Sequence, residues 1–172
     1  GTFCTTGTTT LTTTGATGGT FSSTPAGLVI DPATGVIDLA ASTPNTYDIT
    51  YSFGTAPCTG TATSQVTISN QPTATVSGGT FCTTGTTTLT TTGATGGTFS
   101  ALPAGLVIDP TTGQIDLAAS TPGLYDITYS YGTAPCTGTA TSQVTISNQP
   151  TATVSGGTFC TTGTTTLTTT GA

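Results

Sequence analysis

Few side chains in this sequence could do chemistry. Six Asp, at 31, 38, 48, 109, 116 and 126, are its only charged residues, and five Cys stand at 4, 58, 82, 136 and 160. His, Lys, Arg, Glu, Met and Trp are absent. Acid–base and nucleophilic catalysis draw on His, Lys, paired carboxylates or an activated Ser or Cys, and only scattered Asp remain for that work. No enzyme is expected. Calcium is the cation that Asp would suit, but it takes six to eight oxygens. No DxD or DxNDN cluster supplies them. Asp31, Asp38, Asp109 and Asp116 are the calcium candidates. The reading favoured for them is turn capping, because an Asp before Pro in a turn commonly bonds its own backbone. No other cofactor is implied.

The net charge is −6. A protein that grips nucleic acid neutralises phosphate with Lys and Arg, so nucleic acid is excluded as a partner. No run approaches 18 apolar residues, so no membrane span is expected. Trypsin has no cleavage site.

The Cys spacings of 54 and 24, without His, match no zinc pattern, which leaves disulfides and an oxidising, extracellular setting. Three registers fit. Compactness favours Cys4–Cys58 with Cys82–Cys136, closing each repeat on itself. Cys58–Cys82 with Cys136–Cys160 would straddle the junction, and Cys4–Cys136 would staple one repeat to the next. An immunoglobulin strand order counts against the first, since it would put Cys4 and Cys58 at opposite ends of a sandwich.

These residues recur because the sequence repeats with a period of 78. Gly1-Thr2-Phe3-Cys4 returns at Gly79 and again at Gly157. Seven positions separate the first two copies: Ser23/Ala101, Thr24/Leu102, Ala33/Thr111, Val36/Gln114, Asn45/Gly123, Thr46/Leu124 and Phe53/Tyr131. A period of this length suits one small sandwich domain better than a solenoid rung. The expected domains are 1–78, 79–156 and the start of a third at 157–172, with 70–78 or 16/94 as alternative boundaries. Near-identity between copies reads as a slice of a longer array.

Every element expected in a repeat is a strand. Tyr47, Ile49, Tyr51 and Phe53 alternate with Asp48, Thr50 and Ser52, the period-2 signature of a half-buried strand. A second strand lies within 61–69, with Val66 and Ile68 inward. A third is expected over 8–14 with Leu11 at its centre, and shorter strands near 18–22 and 73–76. Asp31-Pro32-Ala33-Thr34-Gly35 predicts a hairpin turn between Leu28-Val29-Ile30 and Val36-Ile37-Asp38-Leu39. Asn45/Gly123 after Pro predicts a turn with positive φ. Thr supplies 54 residues. Its β-branched stem suits strands and its hydroxyl faces water, so it takes the place of surface Lys and Glu. The fold class is all-β: tandem antiparallel sandwich repeats. Thr24/Leu102 and Thr46/Leu124 turn apolar together in what read as connections, so Leu102 and Leu124 are candidate interface residues.

The run Leu102-Pro103-Ala104-Gly105-Leu106-Val107-Ile108-Asp109-Pro110-Thr111-Thr112-Gly113-Gln114-Ile115-Asp116, followed by Pro122-Gly123-Leu124-Tyr125-Asp126-Ile127-Thr128-Tyr129, resembles bacterial Ig-like, cadherin-like repeats. Cys58-Thr59-Gly60-Thr61-Ala62-Thr63 and Pro72-Thr73-Ala74-Thr75-Val76-Ser77-Gly78 resemble Ig-like or PKD-like repeats of giant secreted surface proteins of Bacteroidota. The resemblance implies Ig-like sandwiches on an extracellular adhesin or filament at the cell surface, in which cadherin-like relatives hold calcium between domains. Two functions follow from it. One is a structural stalk whose partners are neighbouring repeats and other copies of the chain. The alternative is an adhesive module that binds surface glycans or another partner.

Overall fold

The computed structural model describes residues 1–158, 161 and 164–170. Eighteen strands and no helix occur among them. The first seven are β1 (Thr2–Cys4), β2 (Thr8–Thr10), β3 (Thr20–Thr24), β4 (Val29–Ile30), β5 (Val36–Asp38), β6 (Asn45–Thr55) and β7 (Cys58–Ser69). They are followed by β8 (Ala74–Val76), β9 (Gly79–Cys82), β10 (Thr86–Thr88), β11 (Thr91–Gly93), β12 (Thr98–Leu102), β13 (Val107–Ile108) and β14 (Gln114–Asp116). The last four are β15 (Gly123–Thr133), β16 (Cys136–Ser147), β17 (Thr153–Val154) and β18 (Thr169–Thr170).

The chain forms two compact units that interleave along the sequence. The first comprises Gly1–Thr75, Thr91–Gly97 and Ser130–Ala140, and the second comprises Val76–Thr90, Thr98–Tyr129 and Thr141–Ala172.

In the first unit a four-stranded sheet, ordered β1-β7-β6-β3, faces a three-stranded sheet, ordered β2-β5-β4. The hairpin β6–β7 is its spine, paired antiparallel from Asn45↔Ile68 to Thr55↔Cys58. Alternation along β6 turns Tyr47, Ile49 and Tyr51 inward to meet Val66 and Ile68 of β7, Phe21 of β3 and Ile37 of β5. That core between two sheets is a β-sandwich. Burying Ile37 and Tyr47 completely contributes roughly 1.5–3 kcal/mol for an Ile-sized side chain. The Tyr47 hydroxyl donates to the Thr43 carbonyl at 2.6 Å, so its polar end is satisfied in the interior. β1 joins this sheet in parallel to β7, with Cys4 opposite Ser69.

The second unit repeats the plan with orders β12-β15-β16-β9 and β10-β14-β13. Ile115, Ile127 and Val144 are fully buried there.

The expected hairpin at Asp31–Gly35 forms as β4–β5, and Gly35 takes a φ of +70° that a non-glycine residue would resist. Two local expectations fail. The strand over 8–14 stops at Thr10: Leu11 N–H still donates to the Gly35 carbonyl, but β5 begins at Val36 and offers no further partner. No turn of positive φ occurs at Asn45 or Gly123, since these residues open β6 and β15 and are extended by strand pairing.

Candidate functional site

Asp31 and Asp109 open turns, and Asp38 and Asp116 end β5 and β14 where the next turn begins. Asp31 Oδ1 accepts the Ala33 and Thr34 N–H groups at 2.8 and 2.9 Å, and Asp109 accepts from Thr111 and Thr112, each at 2.8 Å. Those N–H groups, Thr34 or Thr112 first, favour the charged carboxylate and hold Asp31 and Asp109 below the usual aspartate range. Asp38 and Asp116 each accept one N–H at 3.0 Å, from Ala41 and Ala119. Among the described residues no three acidic, Cys or His side chains come together as a metal-sized group.

The cysteines depart from the favoured pairing. Cys4 is bonded to Cys136, with Cα atoms 5.4 Å apart, and Cys58 and Cys82 are free and exposed. Neither Cys4–Cys58 nor Cys82–Cys136 forms, and strand order gives the reason. Parallel pairing sets Cys4 at the Ser69 end of β7, whereas Cys58 opens that strand. Eleven residues at about 3.3 Å each put them about 36 Å apart, far beyond the 7 Å limit for a disulfide. Cys82 stands opposite Ser147 while Cys136 opens β16, so the same span separates that pair. The junction-straddling register is absent too: Cys58 and Cys82 stay apart, Cys136 is taken, and Cys160 lies outside the described residues. The segment Ser130–Ala140 belongs to the first unit, where Gln71 Nε2 donates to the Thr137 carbonyl at 2.6 Å and Cys136 meets Cys4.

Leu102 and Leu124 are 72% and 54% exposed. They lie in strands, Leu102 ending β12 and Leu124 second in β15, and not in connections as the sequence suggested. In the first repeat Thr24 stands opposite Asp48, two residues beyond Thr46 and so on the same outer face of the sheet. Strand pairing continues up to the residue before Pro25, and β12 likewise ends at the residue before Pro103.

Sequence reasoning missed one feature. A cavity of about 300 Å³ opens in the first unit beside Leu11, Thr12, Phe53, Ala62 and Ser64. Its floor is apolar and its rim is Thr and Ser. Nothing in the local sequence marks it, because the groove is made by the segment after β2 together with β6 and the middle of β7.

No family model and no curated protein matches this sequence. Several solved structures are similar in part. A SusE-like surface located polysaccharide binding protein of Bacteroides thetaiotaomicron is 14% identical with a TM-score of 0.38, over 76% of this chain and 29% of that one. Mouse clustered PcdhgC3 EC1-3 is 11% identical with a TM-score of 0.37, over 76% and 55%. A three-Ig titin structure is 8% identical with a TM-score of 0.36, over 78% and 56%. The chain thus spans 29% and 55% of the first two. At such scores the likenesses carry no inference about ligand or partner. The sheets themselves define the class, an all-β chain of repeated sandwiches that are antiparallel except where β1 and β9 join their sheets in parallel.

Proposed function

We propose that the chain is a structural repeat of an extracellular, cell-surface stalk or filament, with a mechanical role. The observation that supports this reading is the Cys4–Cys136 bond. It joins a cysteine of one sequence repeat to a cysteine of the next across 132 residues. A bond in that register adds nothing to a ligand site, but it limits how far the chain can be drawn out. Disulfides persist in oxidising compartments, which agrees with an extracellular place of work. A surface rich in Thr and without cations gives proteases of trypsin type nothing to cut.

Stretching of single molecules from their ends tests this reading. The loop closed by the disulfide holds back about 460 Å of extended chain at roughly 3.5 Å per residue. The oxidised chain should therefore extend about 460 Å less than the reduced one at the same force. Equal extension in both states would count against a mechanical role. Specific retention on an array of surface polysaccharides would favour an adhesive module instead.

A further inference from the structure

Among the differences between the two repeats is one pair that packing within the chain does not explain. Thr24 and Thr46 become Leu102 and Leu124. In the first repeat Thr24 stands opposite Asp48, and Thr46 lies two residues before that Asp on β6. The Thr46 and Thr67 hydroxyls are hydrogen-bonded at 3.0 Å. A leucine at 124 has no hydroxyl to make the equivalent bond. Neither leucine gains cover in return, since Leu102 stays 72% exposed and Leu124 54%.

The second sheet keeps the register of the first. Ser100 Oγ donates to the Thr128 carbonyl at 3.5 Å, as Ser22 Oγ donates to the Thr50 carbonyl at 3.4 Å. Gln143 Nε2 donates to Asp126 Oδ1 at 2.9 Å, as Gln65 does to Asp48 at 2.8 Å. Leu102 therefore flanks Asp126 across the strand pair, at about 4.5–5.5 Å between Cβ atoms. Leu124 lies about 6.8 Å from Asp126 along β15. All three side chains are exposed. Gln143 occupies one carboxylate oxygen of Asp126, and a carboxylate can accept at about four positions. The face is open whichever side a neighbouring repeat stands on. Thr24 and Thr46 are exposed in the repeat that has another after it, and Leu102 and Leu124 in the one that has another before it.

We propose that Leu102, Asp126 and Leu124 form a docking site for a lysine side chain on an extended segment of a second, basic protein. The ammonium meets Asp126, and the four-carbon stem lies over the two leucines. Charge excludes a second copy of this chain as the occupant. The chain holds no Lys, Arg or His, so two such faces brought together would set carboxylate against carboxylate with no cationic side chain between them. The leucines are what make the site. An exposed ion pair alone contributes little. The face of Thr24, Asp48 and Thr46 has the same carboxylate without the apolar area, and it is not a site. Removing Leu102 and Leu124 from water supplies the difference.

The same molecule therefore carries a site and its control. The first repeat folds with Thr at both positions, so Leu102→Thr with Leu124→Thr removes the apolar part and leaves a sheet already known to form. Thr24→Leu with Thr46→Leu builds the apolar part on the other face. The proposal goes beyond the mechanical reading and is tested apart from it, since a stalk can bear tension with no partner on its flank.

The test is an NMR titration of the whole 172-residue chain with a synthetic peptide of alternating lysine and serine. Expected are shifts at Leu102, Leu124 and Asp126, with little change at Thr24, Thr46 and Asp48. The Leu102→Thr, Leu124→Thr variant should keep the melting curve and bind the peptide at least fivefold more weakly, and Asp126→Asn should weaken binding as much. The Thr24→Leu, Thr46→Leu variant should gain a second site. A peptide with diaminopropionate in place of lysine keeps the charge and shortens the stem, and it should bind at least fivefold more weakly. No shift at the three residues would overturn the proposal. Equal binding at both faces, or by the short-stemmed peptide, would overturn it as well, because charge alone would then hold the peptide. So would self-association that the Leu102→Thr, Leu124→Thr variant abolishes, since the occupant would then be a second copy of this chain.

Discussion

Asp31 and Asp109 are stabilised as carboxylates by the N–H groups of their own turns, and this fixes the sign of an acid effect. Their folded pKa lies below the unfolded value near 3.9. The contribution is therefore full above that value and is lost as pH falls through the lower, folded one. Melting temperature should hold steady from pH 7 to about 5 and decline below about pH 4. In an Asp31→Asn, Asp109→Asn double variant the acid decline should be shallower, as calorimetry would show; an unchanged decline would place the acid sensitivity elsewhere. Removal of the Tyr47 hydroxyl by Tyr47→Phe should cost about 1 kcal/mol in urea unfolding, the net worth of a buried hydrogen bond. The turn role of Asp31 was legible in Asp-Pro-Ala-Thr-Gly because the bonding is local. The Tyr47–Thr43 bond was not legible, since it depends on how the 39–45 connection folds back.

Elements differ in legibility for a physical reason. β6 and the far half of β7 announce themselves because large apolar and polar side chains alternate. β2 does not, because a Thr run has the same polarity on both faces and gives no period to read. The parallel entry of β1 beside β7 is a non-local choice that no window of sequence contains, and it decides the disulfide register. Cys4→Ser should therefore destabilise the chain by roughly 2–5 kcal/mol, as expected for a long loop. The Cys136 thiol so released should stay unpaired with Cys82 when mapped by mass spectrometry; a Cys82–Cys136 bond would contradict the strand order. Ile37→Ala, in the middle of β5, should cost roughly 2–5 kcal/mol through the cavity it leaves.

At the scale of the molecule, the absence of cationic side chains means that acid takes the net charge from −6 toward neutrality without a positive excess to drive expansion. Solubility should be lowest near pH 4, close to the sequence pI of 4.1. Turbidity against pH checks this, and a turbidity maximum near neutrality would refute it. The repeat itself was plain from the sequence, but its covalent wiring was not. The Cys4–Cys136 bridge gives this wiring a tolerance to damage. A single severed peptide bond anywhere between those residues leaves both fragments on one covalent network, because a second route through sulfur bypasses the break. A protein nicked by a protease within that loop would still hold end to end, and only a reductant together with a cut would part its two ends.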